Sequence, residues 1–179
     1  MNAQNQLMAI AIQIAEVLDG KDINKVGLYG SVARGGAKDN SDIDLVLFID
    51  DEDFAWEHIP NYPDGLCTLA NLYFMFITFE EYEMLDNIVE WRDLSILFLP
   101  ASPTSKFIQE FKSTQKDPYF LDNIFPEIRI FDAETQTFGT PGGFYWDVQE
   151  DEDCMSEEDY QDYIDQMKDL CEENPNFRW

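Results

Sequence analysis

Residues 27–48 read GLYGSVARGGAKDNSDIDLVLF and form the most informative stretch of this 179-residue chain. An apolar run over 26–29 predicts a short buried strand that ends at Gly30 and Ser31. The almost unbroken apolar run over 43–49 predicts a second buried strand, because strands covered on both faces lose the usual polar alternation. The stretch therefore predicts a strand, a turn rich in small residues, and a second strand.

Two aspartates stand at the start of the second predicted strand. Side chains two residues apart on a strand point to the same face, so Asp42 and Asp44 project together, roughly 7 Å apart along the chain. Two converging carboxylates repel one another unless a cation offsets their charge. Mg²⁺ suits hard carboxylate oxygens and usually takes oxygens of a substrate phosphate as well. The pair therefore predicts a site for a divalent metal.

The turn before these aspartates has the features of a phosphate-binding element. Gly30 has no side chain, so its backbone can approach a ligand closely. The N–H and hydroxyl of Ser31, at the start of a predicted helix, are placed to hold phosphate oxygens. Anion-binding backbone on one side and an acidic metal-binding pair on the other indicate a site for a nucleoside triphosphate.

The arrangement of Gly30-Ser31, ten residues and then Asp42-x-Asp44 resembles the signature of the DNA polymerase β-type nucleotidyltransferase superfamily. The fuller pattern Gly-Ser-x-Ala-Arg-Gly and Ser-Asp-Ile-Asp-Leu is similar to the small bacterial members, often called minimal nucleotidyltransferases. The resemblance covers residues 24–50. It implies an α/β (α+β) fold in which helices pack against a mixed sheet.

The resemblance also implies an activity, which is transfer of a nucleoside monophosphate from a nucleoside triphosphate to an acceptor hydroxyl, with release of pyrophosphate. Gly30 and Ser31 would bind the β- and γ-phosphates, and Asp42 and Asp44 would hold two Mg²⁺ ions. We expect ATP as the nucleotide, and a small molecule or a partner protein as the acceptor. Arg34 belongs to the same signature and would either steady phosphate or pair with a nearby aspartate.

Members of the superfamily normally carry a third carboxylate on a later strand, as a metal ligand and activator of the acceptor hydroxyl. Asp93, at the start of an apolar run over 94–99, is the first choice, and Asp132 is the alternative. The absence of a third carboxylate is also open. In that case the domain would be catalytically impaired, and the protein would serve as an acidic binding module whose C-terminal segment binds a basic partner.

The charge of the chain narrows the classes of partner. There are 37 Asp and Glu against 11 Lys and Arg, a net charge of −26. Affinity for a phosphate backbone comes mainly from Lys and Arg, so long nucleic acid is the least expected acceptor. A cationic small molecule would be drawn to such a field.

The sequence gives no sign of export or of a membrane anchor. No apolar run approaches 18 residues, and nothing resembles a signal peptide. The chain has an odd number of cysteines and no CxxC pair, which indicates free thiols in a reducing cytoplasm. These cysteines are Cys67, Cys154 and Cys171. We therefore expect a cytoplasmic protein.

The hydrophobic pattern predicts further elements and two parts of the chain. Besides the strands above, the predicted elements are helices over 5–18, 51–58, 79–89 and 104–113, strands over 66–77 and 94–99, and a hairpin over 128–138. The apolar content of 66–77 fits a helix as well. Residues 1–140 form the predicted nucleotidyltransferase-like domain. Residues 141–179 form an acidic, partly helical extension, with 13 acidic residues and one Lys over 147–173.

Overall fold

The sheet of this computed structural model has five strands in the order β3-β2-β1-β4-β5. β2 and β3 run parallel, and the other neighbouring pairs are antiparallel, which confirms the predicted mixed sheet. The strands are β1 Lys25–Tyr29, β2 Ile43–Ile49, β3 Leu94–Pro100, β4 Arg129–Asp132 and β5 Thr137–Phe138.

The structure describes residues 2–50, 67–89, 93–114, 116–117, 119–142, 146 and 148. The chain divides into two units, Met1–Val148 and Gln149–Trp179, and every described residue belongs to the first. The predicted helix over 51–58 and the predicted acidic helix of the extension lie outside the described residues. The boundary predicted at residue 140 stays a prediction. Trp146, beyond it, donates its indole N–H to the Pro100 carbonyl at 2.8 Å.

Helices cover both faces of the sheet, which explains why β2 is apolar apart from Asp44. Side chains of β2 alternate between two buried clusters, one with Leu45 and Leu47 and the other with Val46 and Phe48. The first cluster includes residues of α1, α3 and α4, and the second includes residues of α5 and α6. The helices are α1 Ala3–Leu18, α2 Gly30–Arg34, α3 Leu69–Met75, α4 Phe79–Val89, α5 Ser105–Thr114 and α6 Phe120–Ile124, with a 3₁₀ turn at Phe125–Glu127.

The strand expected over 66–77 is wrong for the residues that the structure describes. Residues 69–75 form α3, and only Cys67 makes an isolated β-bridge, with Ile96 of β3. A capping box starts the helix, in which the Thr68 N–H donates to Asn71 Oδ1 at 2.9 Å. The cap satisfies N–H groups that a helix start leaves without partners, and apolar content alone does not reveal it.

The helix predicted over 79–89 is confirmed in position and in its start. The Thr78 N–H donates to Glu81 Oε2 at 2.7 Å, and the Glu81 N–H donates to Thr78 Oγ1 at 3.3 Å. This reciprocal cap begins α4 at Phe79. The hairpin of β4 and β5 is confirmed as well, with Phe131 opposite Phe138. None of the described helices is long and apolar enough to cross a membrane.

Candidate active site

The turn from β1 into α2 touches the acidic end of β2 directly. Gly30, the first residue of α2, has a φ of +71°, in the region that favours glycine. A Cβ built on Gly30 would collide with Asp44 Oδ2 and would lie 3.0 Å from Asp44 Cγ. The glycine therefore lets the turn lie against the carboxylate of Asp44. The two halves of the sequence motif meet at this contact.

Strand pairing fixes the position of Asp44 from both sides. Asp44 lies opposite Tyr29 of β1 and opposite Ser95 of β3. Its neighbours Ile43 and Leu45 are buried in the cluster with α1, α3 and α4, so Asp44 points to the other face, where α5 and α6 pack. Asp42 precedes β2 and is exposed, while Asp44 is half-buried.

The surroundings of Asp44 disfavour its negative charge. Burial, and then the nearby charge of Asp42, raise the pKa of Asp44 from 3.8 to about 6, while Arg34 acts in the opposite direction. Burial, and then the charge of Asp44, raise the pKa of the Tyr29 hydroxyl well above its usual value. Two carboxylates at such a point indicate a place for a cation.

Arg34, at the end of α2, forms an ion pair with a residue far away in the sequence. Its Nη1 lies 2.7 Å from Oε2 of Glu127, in the 3₁₀ turn, and more than half of its side chain is exposed. The sequence left open whether Arg34 binds phosphate or pairs with a nearby aspartate. In the structure its ion-pair partner is a glutamate, and the phosphate role stays a prediction. The exposed guanidinium still lowers the pKa of Asp44, which locates it within electrostatic range of the acidic pair.

The third carboxylate is the least complete part of the site. Asp93 comes directly before β3, where its carbonyl accepts the Ile43 N–H at 3.0 Å, and its side chain is exposed. Within the described ranges, no three or more His, Cys, Asp or Glu side chains form a group that could hold a metal. Asp93 therefore stays a prediction. The residue directly beside Asp44 on β3 is Ser95.

Asp132, the alternative third carboxylate, lies at the wrong end of the sheet. Arg129 pairs with Leu28 and Ile130 with Gly27, so the antiparallel β4 carries Asp132 toward the Lys25 end of β1. Tyr29, beside Asp44, is at the opposite end, about 14 Å away at the rise of an antiparallel strand. The Asp132 Oδ1 accepts the Glu134 N–H at 2.9 Å within the β4–β5 turn. This position removes Asp132 from the candidate ligands.

The donor set of Asp42 and Asp44 fits a hard divalent cation. Mg²⁺ is commonly bound by one or two protein carboxylates together with phosphate oxygens of a substrate. Asp42 and Asp44 are the two protein carboxylates of such a set. The turn at Gly30 brings backbone close to Asp44, where a substrate phosphate could lie. An open cleft of about 620 Å³ is lined by residues 2–4 and 35–39, and its lining includes neither Asp42 nor Asp44.

Comparison with known protein families identifies the family of the segment that carries this site. A family model described as "Polymerase beta, Nucleotidyltransferase" matches residues 12–99. Those residues belong to the DNA polymerase β-type nucleotidyltransferase superfamily. No curated protein and no solved structure gave a match.

Membership of the superfamily supports a general nucleotidyl transfer function for the domain. Nucleotidyltransferases generally use nucleoside triphosphates and divalent metals. The matched residues include both halves of the motif, from Gly30 and Ser31 to Asp42 and Asp44. The match ends at residue 99, within β3, so it also includes Asp93 and Ser95.

Three residues that adjoin the candidate site were missed by sequence reasoning. Tyr29 and Ser95 flank Asp44 through strand pairing, and Glu127 holds Arg34. Tyr29 had a local signal, since it directly precedes Gly30 in the chain. Glu127 had none, because 93 positions separate it from Arg34.

The raised pKa of Asp44 makes a prediction for the metal-free nucleotidyltransferase. An unfolded Asp titrates near 3.9, so between pH 4 and 6 the folded state binds the proton more tightly. Stability therefore falls as the pH rises through this window. We expect metal-free Asp44→Asn to melt about 2–4 °C above the wild type at pH 8, allowing about 1 kcal/mol after solvent screening, and to lose this advantage below pH 4.

The matched control for this measurement is Asp86→Asn, which removes an equal charge from an exposed position on α4. Asp86→Asn should change the melting temperature by less than about 1 °C, as surface substitutions usually do. An equal gain from both variants at pH 8 would assign the effect to net charge and contradict the local explanation.

Proposed function

We propose that the protein is a Mg²⁺-dependent nucleotidyltransferase that moves a nucleoside monophosphate from ATP to a hydroxyl of a small molecule or a partner protein. The contact between Gly30 and Asp44 carries the proposal, because it brings a phosphate-binding turn against an acidic metal-binding strand end. Asp42, Asp44 and Asp93 are the proposed catalytic and metal-binding residues. Gly30, Ser31 and Arg34 are the proposed nucleotide-binding residues.

In this proposal each residue has a distinct task. The backbone at Gly30 and Ser31 holds the β- and γ-phosphates, and the exposed guanidinium of Arg34 adds positive charge beside them. Asp42 and Asp44 hold divalent ions, which would offset charge on the phosphates and the attacking oxygen. The half-buried position of Asp44 limits its hydration and so strengthens its attraction for a cation.

The reaction exchanges one bond to the α-phosphorus for another. The acceptor oxygen forms a bond to that phosphorus, the bond to the bridging oxygen of the β-phosphate breaks, and pyrophosphate leaves. The proton of the acceptor hydroxyl passes to a carboxylate, for which Asp93 is our assignment. Asp93 lies beside the first residue of β2 through the Ile43 N–H, so it is at the correct end of the sheet for this role.

The test is transfer of label from the α-phosphate. The protein is incubated with each α-labelled nucleoside triphosphate, Mg²⁺, and either polycationic small molecules with hydroxyls or co-purified proteins as acceptors. We expect label on one acceptor class, release of pyrophosphate, and no transfer without the metal. The absence of both transfer and metal-dependent thermal stabilisation by any triphosphate would contradict the proposal.

The Asp93 assignment is tested with Asp93→Asn in the same assay. We expect transfer to fall by at least about a hundredfold, as loss of a general base typically costs, while triphosphate still stabilises the variant against heat. Full transfer by Asp93→Asn would remove Asp93 from the site.

A second candidate function follows from the absence of a three-carboxylate group among the described residues. The domain would then bind nucleotide without transferring it and act as an acidic binding module for a basic partner. Triphosphate would stabilise this protein, yet no acceptor would become labelled. The labelling and melting measurements therefore separate the two candidates.

A further inference from the structure

Four aromatic side chains, two on α3 and two on α4, form a connected surface. The ring of Tyr73 lies 5.4 Å from that of Phe74, 6.1 Å from that of Phe79 and 5.4 Å from that of Tyr82. We call these four residues the aromatic surface. Phe74 is 81% exposed and Phe79 is 56% exposed. Large aromatic side chains are usually well buried, and these two are not.

The aromatic surface is separate from the nucleotidyltransferase site. Leu72 of α3 and Leu85 of α4 are buried in the cluster on one face of the sheet, together with Leu45 and Leu47. Asp44 points to the other face. Connected exposed aromatic side chains on a monomer typically mark an interaction surface, because water solvates them poorly. Catalysis does not account for this surface.

Exposed acidic residues lie on α4, the helix that carries Phe79 and Tyr82, and the residues around the aromatic surface in sequence lack positive charge. Residues 67–89 include no Lys, Arg or His. Glu80, Glu83 and Asp86 of α4 are exposed, whereas Glu81 is paired with Lys21 at 2.7 Å. Aromatic faces attract Lys and Arg directly, and neighbouring carboxylates strengthen that attraction. The chemistry of the surface thus suits a ligand that is apolar and positively charged.

We propose that the aromatic surface docks a cationic segment of another protein, one that presents apolar side chains flanked by Lys or Arg. Charge complementarity selects this occupant. A second copy of the chain would bring Glu80 and Glu83 against the same charges. This inference does not depend on the proposed transfer activity.

The test uses a fluorescent, helical 14-residue peptide of Leu and Lys, and measures its Kd for the full-length protein by anisotropy. We expect binding by the wild type, and at least tenfold weaker binding by Phe74→Ser/Phe79→Ser. A matched peptide of Leu and Glu should not bind. The control variant is Tyr119→Ser, which removes another exposed aromatic residue, 65% exposed, and should change the Kd less than twofold.

A second variant, Glu83→Gln/Asp86→Asn, keeps the rings and removes two neighbouring charges. We expect it to weaken the Leu/Lys peptide about threefold and to reduce the salt dependence of binding. Several outcomes would overturn the proposal. One is failure of the wild type to bind the Leu/Lys peptide, and another is equal binding by Phe74→Ser/Phe79→Ser. A third is self-association of the wild type in sedimentation that Phe74→Ser/Phe79→Ser abolishes, which would assign the surface to a second copy.

Discussion

Replacing Asp44 with asparagine is expected to reduce nucleotidyl transfer by about a thousandfold or more. Asp44 is the half-buried member of the acidic pair, and it contacts the turn at Gly30. Asparagine keeps the shape of the side chain and removes the charge that would hold a divalent ion near the reacting phosphates. Losing such an electrostatic group at the reacting centre typically costs about a hundredfold to a thousandfold, and losing a metal with it costs more.

The measurement is the rate of label transfer at saturating Mg²⁺, with Asp50→Asn as the matched control. Asp50 directly follows β2 and is exposed, at the opposite end of the strand from Asp44. It accepts the Asn24 amide N–H at 3.0 Å, which an asparagine oxygen can still do. Asp50→Asn should keep at least half of the activity. More than a tenth of wild-type activity in Asp44→Asn would place the metal elsewhere.

Gly30→Ala is expected to lower both activity and stability. The backbone of Gly30 has a φ of +71°, which costs a residue with a Cβ about 1–3 kcal/mol. The added methyl group would also collide with the carboxylate of Asp44. We expect a loss of stability of at least about 2 kcal/mol in urea unfolding, and a fall in transfer of at least about a hundredfold because Asp44 is displaced.

Substitutions at two nearby glycines are the controls that distinguish backbone strain at Gly30 from the collision with Asp44. Gly35 has a φ of +79°, with no atom within 4 Å of a built Cβ, so Gly35→Ala measures strain alone. Gly36 has an ordinary φ and the same open space, so Gly36→Ala should be nearly silent. We expect the loss of transfer to be much larger for Gly30→Ala than for Gly35→Ala. Equal losses would show that the contact with Asp44 is unimportant.

Several elements could be predicted because their signals are local. The apolar run of β2 and the reciprocal cap of Thr78 and Glu81 each lie within a few positions of the chain. The strand expected in place of α3 was wrong because the apolar content of 66–77 fits either structure. The start of α3 is marked instead by the hydrogen bond from the Thr68 N–H to the side chain of Asn71, and apolar content carries no information about such a polar cap.

The candidate site likewise has features with local signals and features that depend on contacts between distant segments. The amino-acid sequence by itself determined that Gly30 and Ser31 follow one strand, and it predicts that Asp42 and Asp44 share a face, because each statement depends on neighbours along the backbone. Only the tertiary structure decided that Asp44 contacts Gly30 and lies beside Ser95, because strand register depends on pairing between distant segments.

The tertiary structure also decided the position of Asp132 relative to Asp44 and the exposure of the aromatic side chains. The direction of β4 carries Asp132 away from Asp44, and the packing of α3 and α4 leaves Phe74 and Phe79 exposed. Neither result is present in the local pattern. Pairing between distant strands sets the direction of β4, and α3 is apolar on several sides, so its sequence does not select the side that is buried. The sequence thus determined which residues form the motif, and long-range packing decided which residues surround it.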